Sequence, residues 1–304
     1  MISRRALRLF AASAAAATVL SAGGCGMLDT KQREWIFRPQ RDQQSTPADY
    51  GLRYEDVWLA VADSGAGEAR ERVHGWWIPA DRAGAPSLLY LHGAHWSLSN
   101  NLNRIARLQR MGFSVLAIDY RGFGQSDGEL PSEAHAYADA QAAWEHLRGL
   151  EPDPRRRFLY GHSLGGAVAI ELATRNNDIA GLIVESTFTS IRDMADALGY
   201  GNLPIGALIT QHFDSLAKMA NVAAPVLFVH GTDDRYVPAA MSEKLYAAAH
   251  APKRLLLVEN AGHSNVSGVA FDRYQAAVRE FVSFARRFAA GAMRLPAAVP
   301  GGRG

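Results

Sequence analysis

Short apolar runs alternate with longer segments of helical periodicity along most of the chain. Between residues 55 and 61 the branched aliphatic residues Val57, Leu59 and Val61 occupy every second position, which predicts a strand with one buried face. Residues 113–118 form a nearly continuous apolar run, which is typical of a strand buried on both faces. The same criteria predict eight strands, over residues 55–61, 72–79, 87–91, 113–118, 158–160, 181–185, 225–231 and 254–259.

The segments between these runs carry the helices. Apolar residues recur every three or four positions at Leu98, Leu102, Ile105 and Leu108. This spacing predicts a helix, and Gly112 is placed to end it. Further helices are predicted over residues 132–148, directly after residue 163, and over residues 241–250 and 271–288. Alternating strands and helices predict an α/β fold with a mostly parallel sheet of about eight strands and helices on both faces. Because no helix separates the first two strands, we expect them to form an antiparallel edge.

The periodic part of the chain forms one predicted domain, residues 51–289, with no internal repeat or linker. Residues 25–50 are polar and contain two prolines, and they are predicted to be a tether. Residues 290–304 are rich in glycine, alanine and proline and are predicted to be disordered.

Composition excludes several classes of protein. The 304 residues are 48% hydrophobic and 20% charged with a net charge of +2, an ordinary globular balance that gives no support for nucleic-acid binding. Cys25 is the one cysteine, so no intrachain disulfide can form. No metal-ligand spacing is present, and we expect neither a metal nor a cofactor. Nothing in the composition indicates the oligomeric state.

The first residues have the pattern of a targeting segment. Three arginines are followed by an uncharged, alanine-rich run over residues 9–22, which is too short to span a bilayer comfortably. Small residues then lead to Cys25. This pattern resembles a bacterial lipoprotein signal, residues 1–24, in which Cys25 becomes the lipid-bearing residue. Ordinary cleavage near Gly24 and an uncleaved anchor are the alternatives. The expected location is the bacterial cell envelope, lipid-anchored or else soluble periplasmic or secreted.

The strongest chemical signal is Gly161-x-Ser163-x-Gly165, between an apolar strand and a helical pattern. Glycines at these positions allow a sharp strand-to-helix turn on which the serine hydroxyl stands clear of the sheet. The N–H groups at the start of the following helix, and its dipole, favour a developing negative charge nearby. Ser163 is therefore the candidate nucleophile.

Partners for this serine follow later in the chain at the ends of two predicted strands. Asp234 follows the strand over residues 225–231, and His263 follows the last strand. Side chains at the carboxyl ends of parallel strands lie at one edge of a sheet. An imidazole there can take the serine proton, and a carboxylate can orient that imidazole and stabilise its cation. Asp233 is the alternative to Asp234 for the acid role.

These motifs together resemble the α/β-hydrolases. The resemblance spans about residues 55–288 and rests on five motifs in family order: His92-Gly93, Asp119-x-Arg121-Gly122, Gly161-x-Ser163-x-Gly165, Gly231-x-x-Asp234-x-x-Val237-Pro238 and Gly262-His263. The segments Glu185–Ser190 and Phe213–Leu216 are similar to a branch with esterase-like membrane-associated proteins and protein depalmitoylases.

The resemblance adds expectations about the site. It implies an oxyanion hole formed by the backbone N–H groups of Ala94 and Leu164, and a short cap over about residues 186–224. Asp119 and Arg121 are expected to hold their loop in place. The implied activity is that of a serine hydrolase cleaving esters or thioesters through an acyl-enzyme. The substrate would be a small-molecule or lipid-like ester, and the lipid anchor would make the membrane a partner. A peptidase, amidase or acyltransferase on the same fold and, from another class, a non-catalytic envelope-binding module are the alternatives.

Overall fold

A single mixed sheet carries the fold. The computed structural model describes residues 26–42, 44–61, 71–200, 205–250 and 252–292. Within them the strands are β1 (Glu55–Val61), β2 (Glu71–Ile78), β3 (Ser87–Leu91), β4 (Ser114–Ile118), β5 (Arg157–His162), β6 (Gly181–Glu185), β7 (Val226–Gly231) and β8 (Lys253–Val258). Their order across the sheet is β1-β2-β4-β3-β5-β6-β7-β8. The pairs β1–β2 and β2–β4 are antiparallel and the other pairs are parallel, so the predicted antiparallel edge is confirmed.

Helices cover both faces of this sheet. They are α1 (residues 26–37), α2 (Leu98–Arg110), α3 (Glu133–Leu150), α4 (Leu164–Arg175), α5 (Ile191–Ala195), α6 (Ser215–Met219), α7 (Ala239–Ala248), α8 (Val266–Val269) and α9 (Phe271–Ala292). No helix among the described residues is long and apolar enough to cross a membrane.

Two apolar cores lie on opposite faces because side chains alternate along each strand. Within β3, Leu89 and Leu91 join the core that contains Trp144 of α3. Leu88 and Tyr90 point the other way and join the core that contains Tyr274 of α9. A sheet buried on both faces explains why the central strands are continuous apolar runs.

The segment before β1 differs from the predicted tether over residues 25–50. Residues 26–37 form α1, and Pro47–Tyr50 form a turn of 3-10 helix. Phe37, at the end of α1, is completely buried. The polar composition suggested a free segment, but Gln32 and Arg33 of α1 donate hydrogen bonds to the backbone carbonyls of Leu208 and Pro131. The tether prediction is therefore wrong over these residues, and the domain begins before residue 51.

Other predicted boundaries are partly outside the described residues. The predicted signal segment, Cys25 and the tail from residue 293 lie outside the described residues. Helix α9 continues to Ala292, a few residues past the predicted end of the domain. The predicted cap, residues 186–224, contains α5, α6, a π-helical turn over Asp196–Tyr200 and a 3-10 turn over Ile205–Leu208.

Candidate active site

Ser163 lies at a strained turn between β5 and α4. Its φ of 54° and ψ of −119° are unusual for a residue with a side chain. The flanking glycines make this turn possible, since a Cβ on Gly161 would lie 2.2 Å from the carbonyl oxygen of Gly165. A Cβ on Gly165 would lie 2.1 Å from the carbonyl oxygen of Leu91. The predicted strand-to-helix turn is present, and both glycines are required by close backbone approach.

The three candidate triad residues meet at the carboxyl edge of the sheet. His263 Nε2 lies 3.0 Å from Ser163 Oγ, and His263 Nδ1 lies 2.7 Å from Asp234 Oδ2. These contacts join residues 100 and 29 positions apart in the chain. Asp233, the alternative acid, is exposed, and its carboxylate is 3.3 Å from the Thr232 hydroxyl. The geometry thus brings Asp234, not Asp233, to the imidazole.

Four hydrogen bonds hold the Asp234 carboxylate. Oδ1 accepts the backbone N–H groups of Tyr236 and Val237, each at 2.9 Å. Oδ2 accepts His263 Nδ1–H and also faces His230 Nε2 at 3.1 Å. Burial raises the pKa of Asp234, but the hydrogen bonds from the two histidines and from Val237 outweigh it and hold the pKa well below its usual range. The carboxylate is therefore ionised and available to stabilise an imidazolium.

His230 is a second histidine on this carboxylate, and the sequence did not indicate that role. Its Nε2 faces two acceptors, Asp234 Oδ2 and the carbonyl of Val237 at 2.9 Å, so Nε2 must carry the proton. Its Nδ1 lies 2.6 Å from the hydroxyl of Ser242 on α7. His230 is fully buried, and its contacts fix the direction in which Asp234 points. The His230-Gly231 pair four residues before Asp234 was the available signal.

The backbone of His263 is also held. His162 Nε2–H donates to the carbonyl of His263 at 3.0 Å, and the two rings lie 5.0 Å apart. Burial, the Arg104 charge and the neighbouring His263 hold the pKa of His162 well below its usual range. Neutral His162 therefore donates a hydrogen bond that holds the backbone carbonyl of His263, the candidate base.

A buried ion pair links the serine turn to the histidine loop. Arg104 of α2 contacts Glu185 at 3.1 Å and reaches the carbonyl of Ser264, next to His263, at 3.3 Å. Glu185 also accepts the hydroxyl of Tyr160, and its backbone carbonyl accepts the N–H of Ser163 at 2.9 Å. No sequence motif pointed to Arg104, because its partners, Glu185 and Ser264, come from two distant segments.

The predicted oxyanion residues belong to the two backbone segments next to Ser163. Leu164 is the first residue of α4, so its N–H has no partner within the helix. Ala94 follows Gly93, where an added Cβ would be only 3.1 Å from Ser163 Cβ. The next residue, His95, has a φ of 78°, and its N–H donates to the carbonyl of Phe37 at 2.8 Å. Helix α1 thus ends against the loop that carries Ala94, the predicted oxyanion loop.

Asp119 and Arg121 hold the neighbouring loop, as the resemblance implied. Asp119 Oδ1 accepts the N–H of Leu98 at 2.8 Å, and Arg121 Nε donates to the buried Asp139 at 2.7 Å. Neither of these contacts involves a candidate triad residue. In the part of the chain that the structure describes, no cluster of histidine, cysteine and carboxylate side chains could hold a metal ion.

The chain is similar to several known proteins. A family model described as serine aminopeptidase, S33 matches residues 85–204. An uncharacterized protein of Mycobacterium tuberculosis is 36% identical over 238 residues, 78% of this chain and 82% of that protein. An α/β hydrolase domain-containing protein of Arabidopsis thaliana is 32% identical over 249 residues, 75% of this chain and 79% of that protein. The structure of an esterase from Pyrococcus furiosus matches 82% of this chain and 97% of its own with a TM-score of 0.65 and 21% identity, a likeness of fold.

Proposed function

The chain belongs to the α/β-hydrolase superfamily, and on this basis we propose that it is a serine hydrolase that cleaves carboxylic esters or thioesters. One observation carries the proposal: an unbroken hydrogen-bonded series from Ser163 Oγ through His263 to Asp234, at 3.0 and 2.7 Å. An ionised, buried carboxylate, an imidazole and a strained serine in this order are the groups that acyl transfer needs.

In the proposed reaction His263 Nε2 takes the Ser163 proton as Oγ bonds to the acyl carbon. The N–H groups of Ala94 and Leu164 stabilise the oxyanion of the tetrahedral intermediate. The bond to the leaving oxygen or sulfur then breaks, and His263 returns the proton to the leaving group. Water then enters, and His263 takes its proton as the water oxygen bonds to the acyl carbon. The bond between the acyl carbon and Ser163 Oγ breaks, His263 returns the proton to Oγ, and the carboxylic acid leaves. Asp234 stabilises the imidazolium in both halves.

Hydrolysis of amide bonds is the second candidate function. The matching family model is described as a serine aminopeptidase, and the same three residues can serve that reaction. The esterase of Pyrococcus furiosus is a likeness of fold and does not decide between the two. The choice depends on which leaving group the cap admits.

The experiment has two parts. Fluorophosphonate labelling compares the full chain with Ser163→Ala, because only an activated serine reacts. Label on the full chain alone supports a serine hydrolase, whereas no label on either favours a non-catalytic envelope-binding module. The second part compares p-nitrophenyl esters, thioesters and aminoacyl amides. Faster turnover of the amides would replace the esterase proposal with a peptidase.

We further propose that this hydrolase works at the bacterial cell envelope, attached by lipid at Cys25. The support is the sequence of residues 1–25, in which a basic start and an uncharged run precede a lone cysteine. Stable attachment requires more than one acyl chain. Soluble periplasmic or secreted enzyme is the competing outcome.

A further inference from the structure

Exposed apolar side chains are concentrated on two short segments of the described chain. Of thirteen large hydrophobic side chains that are exposed among the described residues, six belong to α1 or to the cap. These six are Met27, Leu28, Trp35, Leu198, Tyr200 and Leu208. Trp35 is 72% exposed and Leu208 is 53% exposed. Apolar side chains grouped in this way mark an interaction surface more often than scattered ones do.

Direct contacts join these two segments. Gln32 Nε2 donates to the carbonyl of Leu208 at 2.7 Å, and Gln32 Oε1 accepts the N–H of Thr210 at 2.9 Å. Leu28 and Trp35 lie four residues before and three after Gln32, on the same face of the helix. Leu28 and Trp35 therefore share the helix face from which Gln32 binds the Leu208 segment, and both they and Leu208 are exposed. We call Leu28, Trp35 and Leu208 the apolar platform.

The apolar platform lies at the catalytic edge of the sheet. Helix α1 ends at Phe37, whose carbonyl binds the N–H of His95 in the oxyanion loop at 2.8 Å. The cap begins at the carboxyl end of β6, the edge at which Ser163 lies. When the apolar platform contacts a surface, the candidate active site therefore lies close to that surface.

The chain before α1 indicates which partner the platform meets. Three residues, 23–25, separate the uncharged apolar run over residues 9–22 from Gly26, the first described residue of α1. No long spacer separates that run from α1, so any attachment of residues 1–25 to a bilayer brings α1 to the same bilayer. Tryptophan and leucine on an outward helix face suit the boundary between headgroups and acyl chains.

From these observations we propose that the apolar platform rests on a lipid bilayer and presents the active site to it. Binding of the apolar platform to a bilayer does not depend on which reaction the protein catalyses. Its consequence, that membrane-borne esters are preferred over dissolved ones, rests on the proposed esterase function. Residues 26–46 are then an orienting element between membrane and active site.

A depth measurement tests the surface independently of catalysis. Full chains carrying Leu208→Cys or Leu150→Cys are labelled with a thiol-reactive fluorophore and bound to vesicles of phosphatidylethanolamine and phosphatidylglycerol that contain nitroxide-bearing lipid. Leu150 is 40% exposed and ends α3, whose first residue lies beside the cap, so it is a matched control about 25 Å away along the helix. Cys25 is common to both chains. We expect several-fold stronger quenching at position 208, and equal quenching would overturn the proposal.

A rate measurement tests the consequence. The full chain, Trp35→Ser/Leu208→Ser and Leu150→Ser are compared on umbelliferyl palmitate in the same vesicles and on dissolved p-nitrophenyl acetate. We expect the double variant to lose about tenfold on the vesicle ester, because two apolar side chains no longer enter the bilayer, and to keep its rate on acetate. An unchanged vesicle rate together with loss of a dimer would assign the platform to a second copy and overturn the proposal. Quenching at position 208 without hydrolysis of either ester would refute the esterase function and leave the surface standing.

Discussion

The backbone carbonyl of Phe37 accepts a 2.8 Å hydrogen bond from the N–H of His95, one residue after the proposed oxyanion donor Ala94. The Phe37 ring is buried and lies 5.9 Å from the ring of Phe213, which lies within the predicted cap. Nearby, Ser97 Oγ donates to the carbonyl of Asp42 at 3.0 Å. The segment before β1 therefore supports the active site from outside the predicted domain.

This support predicts different results for two truncations. A chain that begins at Gly26 should keep its activity, because the described contacts remain. A chain that begins at Gly51 should lose most of its turnover, because the buried Phe37 ring and the partner of His95 are removed. Loss of one buried phenylalanine costs about 3–5 kcal/mol. Circular dichroism would separate unfolding from loss of turnover, and equal rates for the two truncations would contradict a supporting role.

Turnover should fall by a factor of about 10⁴ to 10⁶ in Ser163→Ala and also in His263→Ala, because the nucleophile and the base act as a unit. Ser264→Ala is the matched control, because Ser264 is exposed and contributes its backbone carbonyl to Arg104. Initial rates on p-nitrophenyl acetate measure all three. A tenth of the wild-type rate in a clean Ser163→Ala preparation would refute the assignment.

Asp234→Asn should lower turnover by about 10⁴, because an amide cannot stabilise the imidazolium and favours the wrong tautomer. Asp233→Asn should have little effect, because its carboxylate is exposed and contacts Thr232 rather than His263. The two variants are compared by kcat on the same ester. A larger loss for Asp233→Asn would show that the acid has been misassigned.

The depressed pKa of His162 predicts loss of stability in acid. Unfolded His162 binds a proton as the pH falls below about 6.5, whereas folded His162 stays neutral until its lower pKa is reached. Between those two values the free energy of unfolding falls by up to about 1.4 kcal/mol per pH unit from this residue, and above pH 6.5 the effect disappears. Urea unfolding from pH 5 to 8 should show a shallower acid slope for His162→Gln than for the unsubstituted chain. Identical slopes would mean that His162 is protonated in the folded state.

Lipid attachment predicts that the unsubstituted chain takes up labelled palmitate and fractionates with membranes, whereas Cys25→Ser takes up none. The two chains differ by one atom, which makes the comparison specific. An unlabelled wild-type chain in the soluble periplasmic fraction would establish ordinary secretion instead. A membrane-bound Cys25→Ser chain with an uncut N-terminus would identify residues 1–24 as an anchor.

The sequence by itself determined the elements and the positions of the triad candidates. Strand and helix periodicity is a local property, so the predicted strands agree with the structure to within a few residues at each end. The glycines around Ser163 are local signals too, because a strained turn excludes a Cβ there. Ser163, Asp234 and His263 each follow a predicted strand, and the carboxyl ends of parallel strands share one edge of a sheet. The sequence therefore predicted that the three side chains lie close together.

Only the tertiary structure decided which distant groups hold these residues in place. His230 binds Asp234 four residues away, but its direction depends on Ser242 of a separate helix. Arg104 joins Glu185 to the His263 loop across long stretches of chain. Helix α1 was predicted to be a tether because its composition is polar. Hydrogen bonds from polar side chains leave no periodic apolar pattern in the sequence. The partners of α1, in the predicted cap and in the loop that carries Ala94, become its neighbours only when the chain has folded.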